Sequence, residues 1–401
     1  MELWRKNIFI LTLTMFVIFV ARTFVNPYLP LFVRELGVVV PEQAAFWAGL
    51  IASSGFLGQS LSAPIWGLFA DRYGRKAMIL RALLAMTISM MLISFVNNVY
   101  QLLAIRFLLG CFSGFNAAAI AFIATETPEN RLGYAMGLFQ TGQMAGMLLG
   151  PGMGGAIIHC LGYRLSFAVA GYLALAMFFA VWLGIKETKR RSPLVPNQQN
   201  ESSSRNNLVD GLKLIASKRI FLALFVVLIA MQFTVKCLEP QLAVYSDYLY
   251  RGDRLELIVA AIIMAPAILH LILAPALGRF VDRGYHYQTL LVCLFGAAII
   301  TVSQAYVSTV WHLIFFRLIF GGFMAGIIPV ANALIGMSCS FHQRGFVFGL
   351  TATATALGNF TGPLIGGIII GLAGIEVGFK IVFFASSLLM IFGALLVTSS
   401  R

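Results

Sequence analysis

The residues that could do chemistry in this sequence are the few charged side chains inside long apolar runs. Of the 15 acidic residues, only Glu239 lies well inside such a run, and Lys236 precedes it by three positions, on the same helix face. Burial favours the neutral form of a carboxyl group and a nearby cation favours the charged form, so protonation of Glu239 can be switched. Glu239 is therefore the leading candidate for a proton carrier. The alternative is that it only neutralises Lys236 near the outer surface.

Two other side chains are weaker candidates for carrying a proton. His270 lies in the middle of its apolar run, and the unperturbed pKa of histidine is about 6.5. A hydrogen-bonded histidine with a packing role is an equally good interpretation. Asp247, near the end of the run that contains Glu239, is the third candidate.

No sequence pattern indicates a metal, a nucleotide or an enzymatic nucleophile. The five cysteines are scattered singly among apolar residues, without the spacing of a metal or redox site. The sequence contains no cluster of His, Asp and Glu and no phosphate-binding loop. It therefore predicts no cofactor and disfavours a membrane enzyme.

The basic residues inside the apolar runs indicate what kind of ligand would bind. Arg22, Arg106, Lys236 and Arg317 against Glu239 give a formal charge of +3. Charges in the membrane interior are costly, so this excess should attract an anion or a zwitterion and disfavour a permanent cation. The 34 Phe and 16 Met residues can supply an adaptable apolar wall for a small amphiphilic molecule. Plausible polar contacts for it are Asn26, Gln59, Asn116, Gln140, Gln143 and Gln232.

The elements that must position these residues are membrane-spanning helices. The chain is 60% hydrophobic and 11% charged, with a mean hydropathy of +0.89, which is a membrane composition. Apolar runs of the required length, about 20 residues, recur along the whole sequence. The twelve predicted spans are Asn7–Phe32, Phe46–Phe69, Ala77–Val96, Val99–Thr125, Gly133–Leu161, Ser166–Ile185, Ile220–Tyr245, Leu255–Phe280, Thr289–Val307, Thr309–Ser338, Phe346–Leu372 and Val377–Thr398.

The distribution of Lys and Arg predicts the orientation of the spans. Placing the N terminus in the cytoplasm assigns 18 of the 28 basic residues to that side and five to the other, as the positive-inside rule requires. Both termini are then cytoplasmic. The net charge of +13 is explained by this topology and by anionic inner-leaflet lipid, so no nucleic-acid partner is expected. Residues 187–217 are polar and rich in Ser and Asn, which predicts a cytoplasmic linker.

The two halves of the chain repeat each other at a nearly constant offset. Arg106 and Arg317, 211 positions apart, each begin an R-x-x-x-G element. Other pairs at that offset are Pro64 with Pro275, Gly67 with Gly278 and Asp71 with Asp282. Parallel six-helix halves around a site at the membrane midplane occur in transporters. The predicted fold is an all-α membrane protein of 12 transmembrane helices in two pseudo-symmetric six-helix bundles, residues 1–186 and 218–401.

Glycines spaced by four mark one face of spans five and eleven. Small residues let helix backbones approach closely in lipid, and an interior proline permits bending. We expect these two faces, from opposite halves, to form a seam that slides; tight packing without movement is the alternative. The seam residues are Gly137, Gly146, Gly150, Pro151, Gly154, Gly155, Gly349, Gly358, Gly362, Pro363, Gly366 and Gly367.

These motifs resemble those of the major facilitator superfamily over the whole chain. GLFADRYGRK, at Gly67–Lys76, closely matches the loop of that family between spans two and three, and RFLLGCFSG, at Arg106–Gly114, looks like its span-four element. The glycine motif of span five is similar to G-x8-G-x3-G-P-x2-G-G in the drug:proton antiporter branch.

The resemblance implies a monomeric exporter of amphiphilic drugs or toxic metabolites in the bacterial inner membrane, working by alternating access. The proton gradient would be its driving force. One alternative is an uptake carrier or a metabolite or lipid facilitator on the same fold. A membrane receptor or enzyme is the disfavoured alternative from another class.

The resemblance also implies a cytoplasmic latch. Asp71 would cap the helix of span eleven, and Arg75 would pair with an acid at the end of span four, where Glu126 stands. The alternative is that these charges only stop transfer across the membrane. The predicted latch residues are Asp71, Arg72, Arg75, Lys76, Glu126, Asp282 and Arg283.

Overall fold

The chain folds into α-helices and short 3-10 turns. The computed structural model describes residues 3–187, 219–250, 252–339 and 344–400, except for the side chains at 25, 68, 71 and 344–346. No β-strand occurs in these ranges, so the predicted all-α class is confirmed. Most of the predicted linker lies outside the described residues. The helices are α1 (Leu3–Val25), α2 (Leu29–Glu35), α3 (Pro41–Tyr73), α4 (Arg75–Ser94), α5 (Val99–Cys111), α6 (Phe115–Glu126), α7 (Leu132–Gly184), α8 (Arg219–Leu238), α9 (Leu242–Leu249), α10 (Leu255–Asp282), α11 (His286–Ser303), α12 (Val310–Ser338), α13 (Arg344–Ala373) and α14 (Ile375–Ser399).

Ten helical stretches in the described ranges are long and apolar enough to cross a membrane. The difference from the predicted twelve has two sources. Predicted spans five and six are the two helical parts of α7, which meet at a kink at Gly162 with a φ of 75° and so count as one stretch. Predicted span two lies in α3, which is not among the ten because serines and Gln59 lower the hydropathy of its middle.

Three of the predicted spans are broken helices rather than continuous ones. Span seven breaks at residues 239–241, between α8 and α9, so Glu239 lies in that break. Span one breaks at Asn26–Tyr28, where Pro27 supplies no backbone donor and a 3-10 turn joins α1 to α2. Span four breaks between α5 and α6, where Gly114 has a φ of 123°, a conformation that side-chain-bearing residues rarely adopt. The break in span four turns backbone groups toward the interior, where they contribute to the site described below.

The structure divides into two compact units, each assembled from separate stretches of the chain. The first unit comprises Met1–Thr188, Glu239–Met264 and Gly366–Ile375. In it α7 packs along α1 and α4, and α3 packs along α5, around buried side chains such as Phe122 and Phe139. The predicted division into residues 1–186 and 218–401 stays a prediction.

The second unit comprises Lys189–Leu238, Ala265–Ile365 and Glu376–Arg401. Its core lies around Phe221 and Phe320, where α12 packs against α11 and α8.

The glycine face of α7 has a different neighbour from the one expected. Gly146, Gly150 and Gly154 face α1 of the same half, not the glycines of span eleven, so the predicted partner was wrong. A Cβ atom at Gly146 would lie 2.6 Å from the carbonyl oxygen of Phe16, and one at Gly154 would lie 2.7 Å from that of Phe24. The glycines are needed because the α7 and α1 backbones touch, which is tight packing within one bundle.

The equivalent face of α13 shows the same arrangement in the second unit. A Cβ atom at Gly358 would lie 2.8 Å from the carbonyl oxygen of Ile229, and one at Gly362 would lie 2.8 Å from that of Phe233. Both glycines therefore pack on α8 of their own half. Pro363 lies in the same stretch of α13.

The last glycines of the two motifs bring the halves of the sequence together inside the first unit. A Cβ atom at Gly155 would lie 2.7 Å from the Glu256 carbonyl oxygen on α10, and one at Gly367 would lie 2.9 Å from that of Ala45 on α3. Gly137 and Gly349, the first glycines of the motifs, have nothing near the position of an added Cβ. Of these predicted seam residues, only Gly155 and Gly367, at one end of each motif, contact a helix from the other half of the sequence.

Candidate binding cavity

A cavity of about 680 Å³ lies in the first unit, between α1, α3, α4, α5 and α6. Its polar lining includes five residues that were predicted from the sequence as site residues and one arginine that was not. The structure brings together the predicted residues Arg22, Asn26, Gln59, Arg106 and Asn116 and adds Arg81. Its apolar lining includes Phe19, Phe56, Trp66, Met78, Met86, Met90 and Phe115.

Arg106 is the most deeply placed charge of the cavity. Its side chain is 8% exposed, and its Nη1 donates a hydrogen bond of 3.0 Å to the Oδ1 of Asn26 in the break between α1 and α2. Its Nε and Nη2 are buried and have no hydrogen-bond partner within the described part of the chain. A buried guanidinium with unmet donors favours negative charge nearby.

Arg22 lies beside Arg106 on the wall formed by α1. Its Nη2 donates to the Oε1 of Gln59 over 3.4 Å, and its guanidinium carbon is 5.8 Å from the ring centre of Phe56. The Glu239 carboxylate attracts Arg22 electrostatically, whereas Arg106 and Arg22 repel each other. Glu239 therefore offsets part of the positive charge of the cavity through its attraction for Arg22.

Arg81 lies at the break in span four. Its guanidinium carbon is 3.5 Å from the ring centre of Trp66, and its Nη2 donates a hydrogen bond of 2.8 Å to the Ser113 carbonyl oxygen. The Trp66 Nε1 in turn donates to the Cys111 carbonyl oxygen over 2.6 Å. The Nε and Nη1 of Arg81 are buried without a hydrogen-bond partner among the described residues.

The cavity therefore has three arginines and, among its described lining residues, no carboxylate. Unpaired charges in a low-dielectric interior are expensive, so such a cavity is stabilised by an anion. Met78, Met86 and Met90 follow one another along the α4 wall and offer a polarisable surface that adapts to apolar groups. An anionic amphiphile fits this combination.

Several predicted site residues lie outside the lining of this cavity. Gln140 and Gln143 lie on α7, and the others belong to the second unit. There Arg317 is 5% exposed, with its guanidinium carbon 5.6 Å from the ring centre of Phe320. The Nδ1 of His270 is buried without a hydrogen-bond partner in the part of the chain that is described. The second-unit residues are Gln232, Lys236, His270 and Arg317.

Asp247 forms an ion pair within the first unit. Its Oδ2 accepts a hydrogen bond of 2.5 Å from the Nη1 of Arg34 in an ion pair that is about one-third exposed. Elsewhere in this unit, the Tyr163 hydroxyl donates to the Oε1 of Glu256 over 3.2 Å, and the buried Gln241 Nε2 donates to the Ala45 carbonyl oxygen over 3.0 Å. A proton-carrying role for Asp247 stays a prediction.

At the predicted latch, the structure shows an acid that the sequence did not single out. The Glu187 carboxylate accepts hydrogen bonds from the backbone N–H groups of Arg75 (3.0 Å) and Lys76 (3.2 Å), at the N terminus of α4. A carboxylate is favourable there because it meets the positive end of the helix dipole. The Lys76 Nζ donates to the carbonyl oxygens of Trp182 and Ile185.

The other latch residues are placed as follows. Arg72 lies in the last turn of α3, and Glu126 is the last residue of α6. Asp282 ends α10, and Arg283 follows it. The side chain of Asp71 is outside the described residues, so its cap on span eleven and the pairing of Arg75 with Glu126 stay predictions.

The fold and the buried polar cavity define a multi-pass membrane transporter. The sequence model of the Major Facilitator Superfamily matches residues 11–269 and 255–401, and the chain belongs to this superfamily. This confirms the resemblance and places the chain among transporters rather than membrane enzymes.

Related sequences match the chain over nearly its full length. It is 32% identical over 393 residues to the multidrug resistance protein MdtG of Serratia proteamaculans, covering 98% of this chain and 92% of that protein. It is 32% identical over 394 residues to MdtG of Salmonella typhimurium, covering 98% and 94%.

Solved structures share the fold at much lower identity. A bacterial homologue of the human lysosomal transporter Spinster, in an inward-facing conformation, has a TM-score of 0.81 and 15% identity, covering 100% of this chain and 97% of that one. A D-xylose–proton symporter has a TM-score of 0.75 and 15% identity, with 97% of each chain covered.

Proposed function

We propose that this chain exports small amphiphilic molecules across a bacterial inner membrane, in exchange for protons and by alternating access. The arginine-lined cavity carries the proposal, because its volume of about 680 Å³ is that of a drug-sized site, roughly 300–1,000 Å³. The similarity to proteins named for multidrug resistance supports export. The proton gradient is the driving force, with no cofactor.

The proposed substrate is anionic or zwitterionic rather than cationic. A permanent cation would add a positive charge to three arginines and would meet no carboxylate among the described lining residues. An anion instead compensates charges that are costly to leave unpaired inside a membrane.

The proposed orientation places both termini in the cytoplasm. The excess of basic residues on that side supports it, as does their attraction to the anionic inner leaflet. We propose that the monomer is the working form.

When a monovalent anion leaves the cell in exchange for one entering proton, both movements make the cell interior more positive, by two elementary charges in total. Each charge gains about 2.3 kcal/mol per 100 mV, so the membrane potential alone contributes about 4.6 kcal/mol per 100 mV. Export of an anion is therefore strongly driven in a cell with a negative interior.

A second candidate function is cotransport of the anion with a proton, which would make the protein an uptake carrier. The attraction between Glu239 and Arg22 favours it. Protonation of Glu239 removes its attraction for Arg22, so a bound proton and a bound anion would assist each other.

Everted membrane vesicles separate the two directions. When respiration acidifies the vesicle interior, an exporter accumulates octanesulfonate inside, and a protonophore abolishes the accumulation. A cotransporter instead carries preloaded octanesulfonate out of the vesicle. Vesicles without the protein give the passive background. Outward movement with protons in these vesicles would overturn the export proposal.

The Glu239→Gln variant should fold normally and lose proton-driven transport. Glutamine has the size of glutamate and cannot release a proton, so the coupled step is blocked. The measurement is octanesulfonate accumulation under an imposed pH gradient. Glu376→Gln is the matched control, because Glu376 is an exposed side chain paired with Lys380 on α14.

If Glu239→Gln responds to the pH gradient as the wild type does, Glu239 is not the proton carrier. His270 then becomes the leading candidate.

A further inference from the structure

Arg81 and Trp66 form a pair whose geometry fits the recognition of an anionic head group. The guanidinium lies against the indole ring at 3.5 Å, and the Ser113 carbonyl oxygen accepts a hydrogen bond from Nη2. These contacts fix the orientation of the guanidinium before any ligand binds. The Nε and Nη1 of Arg81 have no hydrogen-bond partner among the described residues, and a fixed guanidinium with such donors is well suited to a planar or tetrahedral anion.

The first turn of α6 lies next to this pair. Gly114 is the N-cap of the helix, and no side chain caps its free N–H groups. A Cβ atom at Gly114 would lie 3.3 Å from the Nη2 of Arg81, so the guanidinium and the start of α6 are immediate neighbours. The positive end of a 12-residue helix adds to the attraction for an anion.

An independent observation in the same cavity also points to an anionic ligand. Arg106 is more than nine-tenths buried, lines the cavity, and keeps its Nε and Nη2 without a hydrogen-bond partner among the described residues. No carboxylate lies among the described lining residues of the cavity. Arg81 is the arginine that borders the start of α6.

The α4 wall next to Arg81 is suited to an apolar tail. Met78, Met86 and Met90 line the cavity on the helix that carries Arg81. From Arg81 to Met90 the helix rises about 13 Å, at about 1.5 Å per residue. One extended apolar chain can follow this wall.

We propose that Arg81 and Trp66 are the head-group subsite of the cavity, selecting a free amphiphile with a single carboxylate-like or sulfonate-like anion. The tail of this amphiphile lies along Met86 and Met90. This assignment rests on one part of the proposed function, namely that the cavity is the transport site. It does not depend on direction or on proton coupling.

The test is equilibrium binding of three ligands with the same tail to the full chain in phosphatidylcholine nanodiscs. The ligands are octanesulfonate, octanol and octyltrimethylammonium, measured by calorimetry against empty nanodiscs. The wild type should prefer octanesulfonate. Arg81→Gln should bind octanesulfonate about tenfold more weakly or worse, with octanol affinity unchanged, because hydrogen bonds to charged groups are removed.

Conservative variants distinguish binding of the anion by Arg81 from a structural role of Arg81 at the break between α5 and α6. Arg81→Lys should recover part of the octanesulfonate affinity, and Trp66→Phe should weaken it less than Arg81→Gln does. A merely structural Arg81 would instead lower the affinities for octanesulfonate and octanol together. That result, or unchanged octanesulfonate binding in Arg81→Gln, would overturn the proposal.

Nanodiscs with anionic lipid test whether a lipid head group takes this subsite. For a free amphiphile, the ratio of wild-type to Arg81→Gln affinity stays the same in both kinds of nanodisc. If anionic lipid abolishes the difference between the two proteins, a lipid head group occupies the subsite and the assignment to a free amphiphile is wrong.

Discussion

Gly150→Leu should reduce the yield of folded protein at least about tenfold and leave no measurable transport. An added Cβ at Gly150 would collide with the Thr23 Oγ1 and would lie 3.1 Å from the Val20 carbonyl oxygen, so α1 and α7 would have to separate. Overpacking a tight interface costs about 1–3 kcal/mol, and we expect the upper end of that range because the α1 backbone lies directly behind the Thr23 side chain. The measurement is the monodisperse fraction after extraction from membranes, followed by transport at equal protein amounts.

Gly137→Leu on the same helix is the matched control. An added Cβ at Gly137 has nothing within 4 Å, and leucine has a higher helix propensity than glycine. This variant should therefore fold and transport as the wild type does. Equal behaviour of the two variants would show that contact between α1 and α7 is not what requires the glycine.

Arg106→Met should fold at least as well as the wild type but lose most of its affinity for an anionic substrate. Methionine fills much of the same space, and replacing an incompletely paired buried charge by an apolar group is often neutral or stabilising. Loss of a buried charge partner typically costs 2–5 kcal/mol of binding, so we expect octanesulfonate to bind about 30-fold more weakly or worse. Octanol binding should change little.

Arg131→Met is the control for Arg106→Met, because Arg131 is an exposed residue of a short 3-10 turn outside the cavity. If Arg106→Met binds octanesulfonate as tightly as Arg131→Met does, the buried charge does not determine the substrate. Unfolding of Arg106→Met would instead show that Arg106 stabilises the bundle through its bond with Asn26.

The helices could be predicted from the sequence because they depend on local chemistry, whereas the breaks inside spans one and four were not predicted. Apolar runs of membrane length become helices, since backbone groups in lipid must be satisfied within the segment. Pro27, Gly114 and Gly162 then interrupt them where a donor is missing or φ is positive. The boundary between spans five and six was predicted between Leu161 and Ser166, and the two helical parts of α7 meet there, at Gly162.

The partner of a helix face could not be predicted in the same way. The four-residue spacing of Gly146, Gly150 and Gly154 does place them on one face. Spacing within one helix carries no information about which neighbour lies opposite, and the symmetry of the two motifs suggested the wrong one. The choice of α1 depends on long-range packing.

The sequence identified two of the three arginines of the candidate site and missed the third, whose position depends on long-range packing. Arg22 and Arg106 stood out because they lie deep in apolar runs, where charge is costly. Arg81 lies near the start of its span, where a basic side chain usually extends toward the membrane surface. Its contact with Trp66 depends on the break between α5 and α6, which places Ser113 beside it. Glu187 was missed because it stands at the edge of the polar interval.

The most direct test of the account is the voltage dependence of octanesulfonate accumulation in proteoliposomes without a pH gradient. Octanesulfonate keeps its charge at all working pH values, so the stoichiometry of charge can be read from the equilibrium. With the interior about 60 mV positive, one-for-one exchange with protons predicts about 100-fold accumulation, since each charge contributes about tenfold. About tenfold accumulation would indicate passage of the anion alone, and no accumulation would indicate cotransport with a proton. Either of those results would contradict proton-coupled export.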